Sequence, residues 1–444
     1  MIPKIFEPRY LGCYIRKQFF KGAFRVFAAA VGFLLLITVI LLLPRGDPLG
    51  KGTSKLPVGP GTPCISLGER HGLILASDGS LWSWGSDFLG WPVLGLGAVT
   101  NQTISLRQIG NDTRWSSISV GENHNLALKS DGSLWTWGEI VAASNRLVSI
   151  SIPTLITQDK DWKQAAAGGI HCLAIKTNGT LWGWGNNWAG SVGIASTNGS
   201  AVPVQIGSAT NWVRVWAGLL ESVGLQSDGS LWYWGENPDP NFNQGVGFIS
   251  QPTRISPDTN WVDVGFGVNT MFAIKADGSL WALGRNAHYY TGGPISQNTK
   301  PLQVGTETNW KSFSAVTGWW ITGLTKQDGS LWLMDATQAD SNGPRVFERP
   351  AVLFKKLSFP NTGVASACGS VHGAGPGVHG PISVMVTQHG EVWTSGMVLG
   401  DPLSTRARWE KIMFKIARMC HIPASPPDPP PVYRDKPWRV DVTR

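Results

Sequence analysis

Residues 78–85 read DGSLWSWG. Asp78-Gly79 is a hairpin signal, because Asp-Gly suits the tight turn that sends one strand back along its neighbour. The run after it alternates. Leu81 and Ser83 project to one face of a strand, Trp82 and Trp84 to the other. DGSLW begins again at Asp131, Asp228, Asp277 and Asp328, with NGTLW at Asn178 and a weaker HGEVW at His389. The copies are spaced by 53, 47, 50, 49, 51 and 61 residues. A period of this length marks units that bury their faces against their neighbours.

Other marks keep the same beat. Trp115, Trp162, Trp212 and Trp261 each stand 16 residues before the next turn, and Trp310 stands 18 before. Gly68, Gly121, Gly168, Gly218, Gly267 and Gly318 each stand ten before it. A short extended run starts at Pro153, Pro203, Pro252, Pro301 and Pro350, and its first copy, from Leu106, lacks the proline. Each unit thus reads as four strands. The first runs from the Trp to the Gly, the second leads to Asp-Gly, and the third is SLWSWG or its equivalent. The fourth starts at the proline, whose missing N–H an edge strand tolerates. The expected fold is all-β: a seven-bladed β-propeller of four-stranded antiparallel blades. Composition agrees. The 444 residues include 54 Gly and 23 Trp, and only 15% are charged, which excludes a disordered chain and disfavours a helical one.

The pattern of Trp, Gly-x-x-His, Leu-Ala-Leu and Asp-Gly-Ser-Leu-Trp-x-Trp-Gly resembles the regulator of chromosome condensation repeat family in its bacterial type. Gly68 to His71 and Gly121 to His124 carry the Gly-x-x-His element, and Trp184 to Gly193 is similar to the family's Trp-Gly-x-Asn-x-x-Gly-x-x-Gly run. The resemblance covers roughly residues 62–412 and implies seven blades. It weakens at Leu333 and Thr394, which depart from the paired Trp pattern, and at the insertion 374–381. Trp409 to Ile412 looks like a surplus strand-one start, while blade 1 has Thr62 where its Trp is expected. The segment 409–416 is therefore expected to pack on blade 1 and close the ring.

The two ends differ from the body. Residues 1–50 hold seven Lys and Arg against two Asp and Glu, residues 406–444 hold nine against four, and the body between holds 21 against 23. A nucleic-acid reader carries its basic face on the folded body, so no nucleic-acid partner is expected. Residues 26–43 (VFAAAVGFLLLITVILLL) are uncharged and long enough to span a bilayer, and no small-residue cleavage site follows them. The expected order is a cytoplasmic basic segment 1–25, one transmembrane signal anchor 26–43, a linker 44–61, the propeller 62–420 and a Pro-rich tail 421–444. Six basic residues before the span against three close behind it put the N-terminus in the cytoplasm. The propeller is then periplasmic or extracellular. There a disulfide is possible. Cys64 with Cys420 is the preferred pairing, Cys368 with Cys420 a close second, and Cys172 reads as a packed apolar residue.

Function is expected on the face opposite the Asp-Gly hairpins, because the connections there are long and variable. Trp91, Trp188, His288, Tyr289, Trp319 and Trp320 are the candidate partner-binding residues. The recurring histidines read as structural, not as metal ligands. No catalytic motif, metal set or cofactor motif is found, so the chain reads as no enzyme and without cofactor. The leading expectation is a membrane-anchored scaffold for a protein partner. A glycan or cell-wall binder is the alternative, and a propeller enzyme comes third.

Overall fold

A computed structural model describes residues 56–68, 71–87, 91–97, 103–141, 146–237, 247–267, 270–284, 287, 300–313, 321–335, 353–356, 364–369, 382–387, 389–396 and 438–439. The expected anchor 26–43 and closing segment 409–416 lie outside them. Among the described residues no helix is long and apolar enough to cross a membrane.

Among the described residues the strands form seven four-stranded antiparallel sheets, numbered here 1 to 7 in chain order. Within each, sequence neighbours pair, so the first and fourth strands are the edges. Sheet 1 runs from Cys64 to Gln108, sheet 2 from Trp115 to Leu155 and sheet 3 from Trp162 to Gln205. Sheet 4 runs from Trp212 to Arg254, sheet 5 from Trp261 to Gln303, sheet 6 from Trp310 to Lys356, and sheet 7 from Val364 to Arg439. First strands pack on one another between sheets 1 and 2, 2 and 3, 3 and 4, and 5 and 6, and apolar clusters fill the gaps between sheets. This is an all-β propeller fold of four-stranded antiparallel blades.

The hairpin deserves its glycine twice. Gly132 has φ 79 while Asp131 does not enter the left-handed region, so the turn is not of the type with two such residues. Gly132 N–H bonds back to Lys129 O at 2.9 Å, and a Cβ on Gly132 would meet Lys160 O of the approach to sheet 3 at 2.1 Å.

One expectation needs correction. Fourth strands start before their prolines: Leu147–Leu155, Ser200–Gln205 and Phe248–Arg254 contain Pro153, Pro203 and Pro252. The register shifts between Thr136 and Gly138, Gly183 and Gly185, and Tyr233 and Gly235, so each proline sits opposite an irregularity where its missing N–H breaks no ladder bond. Trp438–Arg439, within the expected tail, pairs with Trp393 and Thr394 as the fourth strand of sheet 7. Leu56, within the expected linker, is 1% exposed and shares a core with Ile65 and Trp82 of sheet 1 and Val386 and Val392 of sheet 7. Its N–H donates to Gly390 O at 2.9 Å, as strand-one Trp162, Trp212 and Trp310 donate to Gly132, Gly179 and Gly278. An apolar residue six positions before Thr62 thus makes a contact the repeat spacing assigns to tryptophan.

Candidate functional site: the long-loop face

Strands alternate in direction, so the connections from strand three to four and from strand one to two share the face opposite the hairpins. On this face the sequence GENH (121–124) and its equivalents build a belt. His71, His124 and His171 open strand two of sheets 1 to 3, each opposite the glycine that ends the Trp-x-Trp-Gly run. His71 Nε2 donates to Asn125 Oδ1 at 2.8 Å, and His124 Nε2 lies 3.1 Å from Cys172 Sγ. Ser222 gives its hydroxyl proton to Ser191 O at 2.7 Å, so it accepts from His171 Nε2 at 2.8 Å. Each imidazole therefore joins one sheet to the next. Burial pushes the three pKa values down, to about 4, about 4 and about 3, which keeps the rings neutral. Glu221 holds the same position in sheet 4, and burial pushes its carboxyl up to about 7. Among the described residues no three metal-ligating side chains cluster.

Two connections are fixed at their bases. In the first, Asp87 Oδ1 accepts Leu94 N–H at 3.0 Å. In the second, Asn187 Oδ1 accepts Val192 N–H at 2.7 Å, and Asn187 Nδ2 donates to Ser196 O at 2.6 Å. Each is also gripped by the next sheet: Trp137 Nε1 donates to Val93 O at 3.0 Å, and Trp234 Nε1 donates to Ser191 O at 2.8 Å. The second tryptophan of the repeat thus ties down the preceding connection, a role that its strand periodicity does not reveal.

Trp188 stands 57% exposed on this fixed support, its N–H bonded to Asn186 Oδ1 at 3.0 Å. Trp91 is half-buried on the connection of sheet 1, and sheet 2 separates the two. His288, Tyr289, Trp319, Trp320 and Cys420 lie outside the described residues. Cys64 is a free thiol, with burial pushing its pKa up to about 12. Missed by sequence reading is a cavity of about 380 Å³ between sheets 2 and 3, lined by Glu122, His124, Glu139, Ile140, Cys172 and Trp184 among others. No motif announces it, because it depends on where one connection does not go.

The class defined by this geometry is a propeller with a constant hairpin side and a varied loop side. The repeat has a name: residues 64–90, 115–139 and 162–189 match the model of the Regulator of chromosome condensation (RCC1) repeat, so the chain carries an RCC1-repeat β-propeller domain. A curated relative, the X-linked retinitis pigmentosa GTPase regulator homolog of Caenorhabditis elegans, is 31% identical over 101 residues, 22% of this chain. That match spans only 7% of the relative's length. Among solved structures, human WBSCR16 superposes with a TM-score of 0.58 at 15% identity, over 81% of this chain and 93% of that one. Prp20p of Saccharomyces cerevisiae, studied for its binding to Gsp1p and histones, gives 0.56 at 18%, over 68% and 79%. Yeast RCC1 (Prp20) bound to Kap60 gives 0.54 at 18%, over 65% and 74%. At these identities the likeness is one of fold.

Proposed function

We propose that this chain is a membrane-anchored, extracytoplasmic, seven-bladed propeller that holds a protein partner on its long-loop face. The observation that carries the reading is Trp188, an indole left 57% exposed on a connection whose base is held by buried hydrogen bonds. A large aromatic on a rigid support loses little entropy on binding, which is why such residues concentrate at interface hot spots. The protein-binding properties of Prp20p support the same use of the fold. Seven blades in one ring are supported by the packing of strand one of sheet 1 on strand one of sheet 7 and by their shared apolar core. The anchor rests on the uncharged run 26–43 and on the basic residues before it. We read no catalytic role.

The test is capture of partners by the full chain from detergent-solubilised membranes of its own cell, beside a Trp91→Ala/Trp188→Ala variant. One protein recovered in near-equal amount, and reduced at least tenfold by the double substitution, is the expected result. Retention on polysaccharide with no protein recovered would replace this reading with the glycan one.

A further inference from the structure

The connections after strand three of sheets 1 and 3 are received by the next sheet at the same two atoms. Sheet 2 gives Trp137 Nε1 to Val93 O at 3.0 Å and takes Gly97 N–H on Ser151 O at 2.9 Å. Sheet 4 gives Trp234 Nε1 to Ser191 O at 2.8 Å and takes Ala195 N–H on Ser250 O at 2.9 Å. The held segments are Val93-Leu94-Gly95-Leu96-Gly97 and Ser191-Val192-Gly193-Ile194-Ala195. Each offers a carbonyl at its first residue and an N–H at its fifth. The central Gly95 and Gly193 have φ 71 and 85, and a Cβ there would meet the receiving indole nitrogen at 2.9 and 2.7 Å. The fourth residue packs beside the receiving tryptophan: Leu96 joins the cluster of Trp137 and Ile150, Ile194 that of Trp234 and Ile249.

Sheet 3 carries the same receiving groups. Gly185, Gly138 and Gly235 oppose the first residue of strand two in their sheets, so Trp184 is the equivalent of Trp137 and Trp234. The same glycines pair with Ser200, Ile150 and Ile249, so Ala201 is the equivalent of Ser151 and Ser250. The connection that precedes sheet 3 takes another course. Strands three and four of sheet 2 continue as a ribbon, with Glu139 opposite Ser149, Ile140 opposite Val148 and Val141 opposite Leu147. The cavity of about 380 Å³ lies between this ribbon and sheet 3, with Trp184 and Ala201 in its wall. Trp184 is 6% exposed, and its indole N–H meets no acceptor among the described residues. An unpaired donor in a cavity wall of this kind gains one hydrogen bond from an incoming carbonyl. Glu122 and Glu139 line the same cavity and add negative charge.

We propose that this cavity receives a turn from the protein partner, a five-residue segment with apolar, glycine and apolar residues at its centre. Its first carbonyl bonds Trp184 Nε1, its fifth N–H bonds Ala201 O, and an adjacent Lys or Arg faces Glu122 and Glu139. The chain's own two held segments are the template. The proposal rests on the protein-binding reading above and assigns one of its contact points.

The test uses the full chain and a fluorescent cyclic peptide carrying GSVGIAS, the sequence of residues 190–196, with one added lysine. Saturable binding is expected by anisotropy. Trp184→Phe keeps the ring and removes the N–H, and should weaken binding about three- to tenfold, the usual worth of one hydrogen bond. N-methylation at the peptide's alanine should do the same, and Ala201→Phe, which fills the cavity, should abolish binding. Thermal melting of each variant confirms that it is folded. Absent binding to the wild type, or equal binding to Trp184→Phe and to the N-methylated peptide, overturns the proposal. So does self-association that Trp184→Phe abolishes, which assigns the cavity to a second copy of this chain. Partner capture in the membrane experiment with no peptide binding sinks this site alone and leaves the scaffold reading standing.

Discussion

His71, His124 and His171 are neutral interlocks, and that makes stability depend on pH with a definite sign. Their pKa values fall from an ordinary 6.5 to about 4, about 4 and about 3 because burial opposes the charged ring. Unfolded histidines take up protons from pH ~6.5 downward while folded ones do not, so stability is lost as pH falls from ~6.5 towards 4. Each fully buried ring contributes on the order of 3 kcal/mol across that window. Glu221 has the opposite sign: its raised pKa means stability is lost as pH rises from about 4.5 to about 7. The clean measurement is therefore made in a Glu221→Gln background. Thermal unfolding there should fall steadily from pH 7 to pH 4, and His171→Gln should flatten part of the slope. A melting temperature that stays level from pH 6.5 to 4.5 would show that the rings are not held neutral.

At the scale of one blade, DGSLW proves to be a relay as well as a turn. Asp131 Oδ1 accepts the Ser133 N–H and O–H at 3.1 and 2.6 Å, and Ser133 Oγ accepts Trp135 Nε1 at 2.9 Å. Sheets 1, 3, 4 and 5 repeat the relay. Beside it lies a lysine box. Lys129 sits 4.6 and 3.6 Å from the ring centres of Trp115 and Trp135 and 2.8 Å from Asp112 Oδ2. Lys176, Lys275 and Lys326 occupy equivalent boxes closed by Asp159, Asp258 and Glu307. Sheet 4 breaks the rule at both partners, with Gln226 for the lysine and Ala209 for the acid, although Trp212 and Trp232 still meet edge to face at 5.9 Å. The pair Ala209→Asp/Gln226→Lys should stabilise the domain by about 1 kcal/mol, with Gln226→Lys alone neutral or destabilising. A double-mutant cycle by urea unfolding reads the coupling, and additive singles would show that the box holds no joint interaction. The hairpins, strand order and Trp spacing were legible because each depends on residues near in sequence. The Lys–acid pairing of sheets 2, 3, 5 and 6, with the acid three residues before the strand-one Trp and the lysine two before the hairpin turn, was also written there. It stayed hidden because packing alone already accounted for the tryptophans.

At the scale of the whole molecule, legibility ends where the repeat does. The candidate site followed the same limit: Trp188 was readable as a surplus aromatic, but the cavity was not, since it arises from the course of one ribbon relative to the next sheet. Closure is a related case. The sequence offers a tryptophan at 409 and only threonine at 62, so spacing favours a C-terminal clasp, while among the described residues Leu56 is the buried one at this junction. Its side chain lies within the core shared by sheets 1 and 7, and its N–H reaches Gly390 O. If this contact closes the proposed ring, Leu56→Ala should cost about 2–5 kcal/mol, the usual penalty for a buried leucine. Gly390→Ala should be as damaging, because φ is 76 there and a Cβ would meet Leu56 O at 2.4 Å. A chain starting at residue 62 should then melt at lower temperature and be cut by protease faster than one starting at residue 52. Equal melting of the two would mean that the ring closes without Leu56, and would return the clasp to the segment around Trp409.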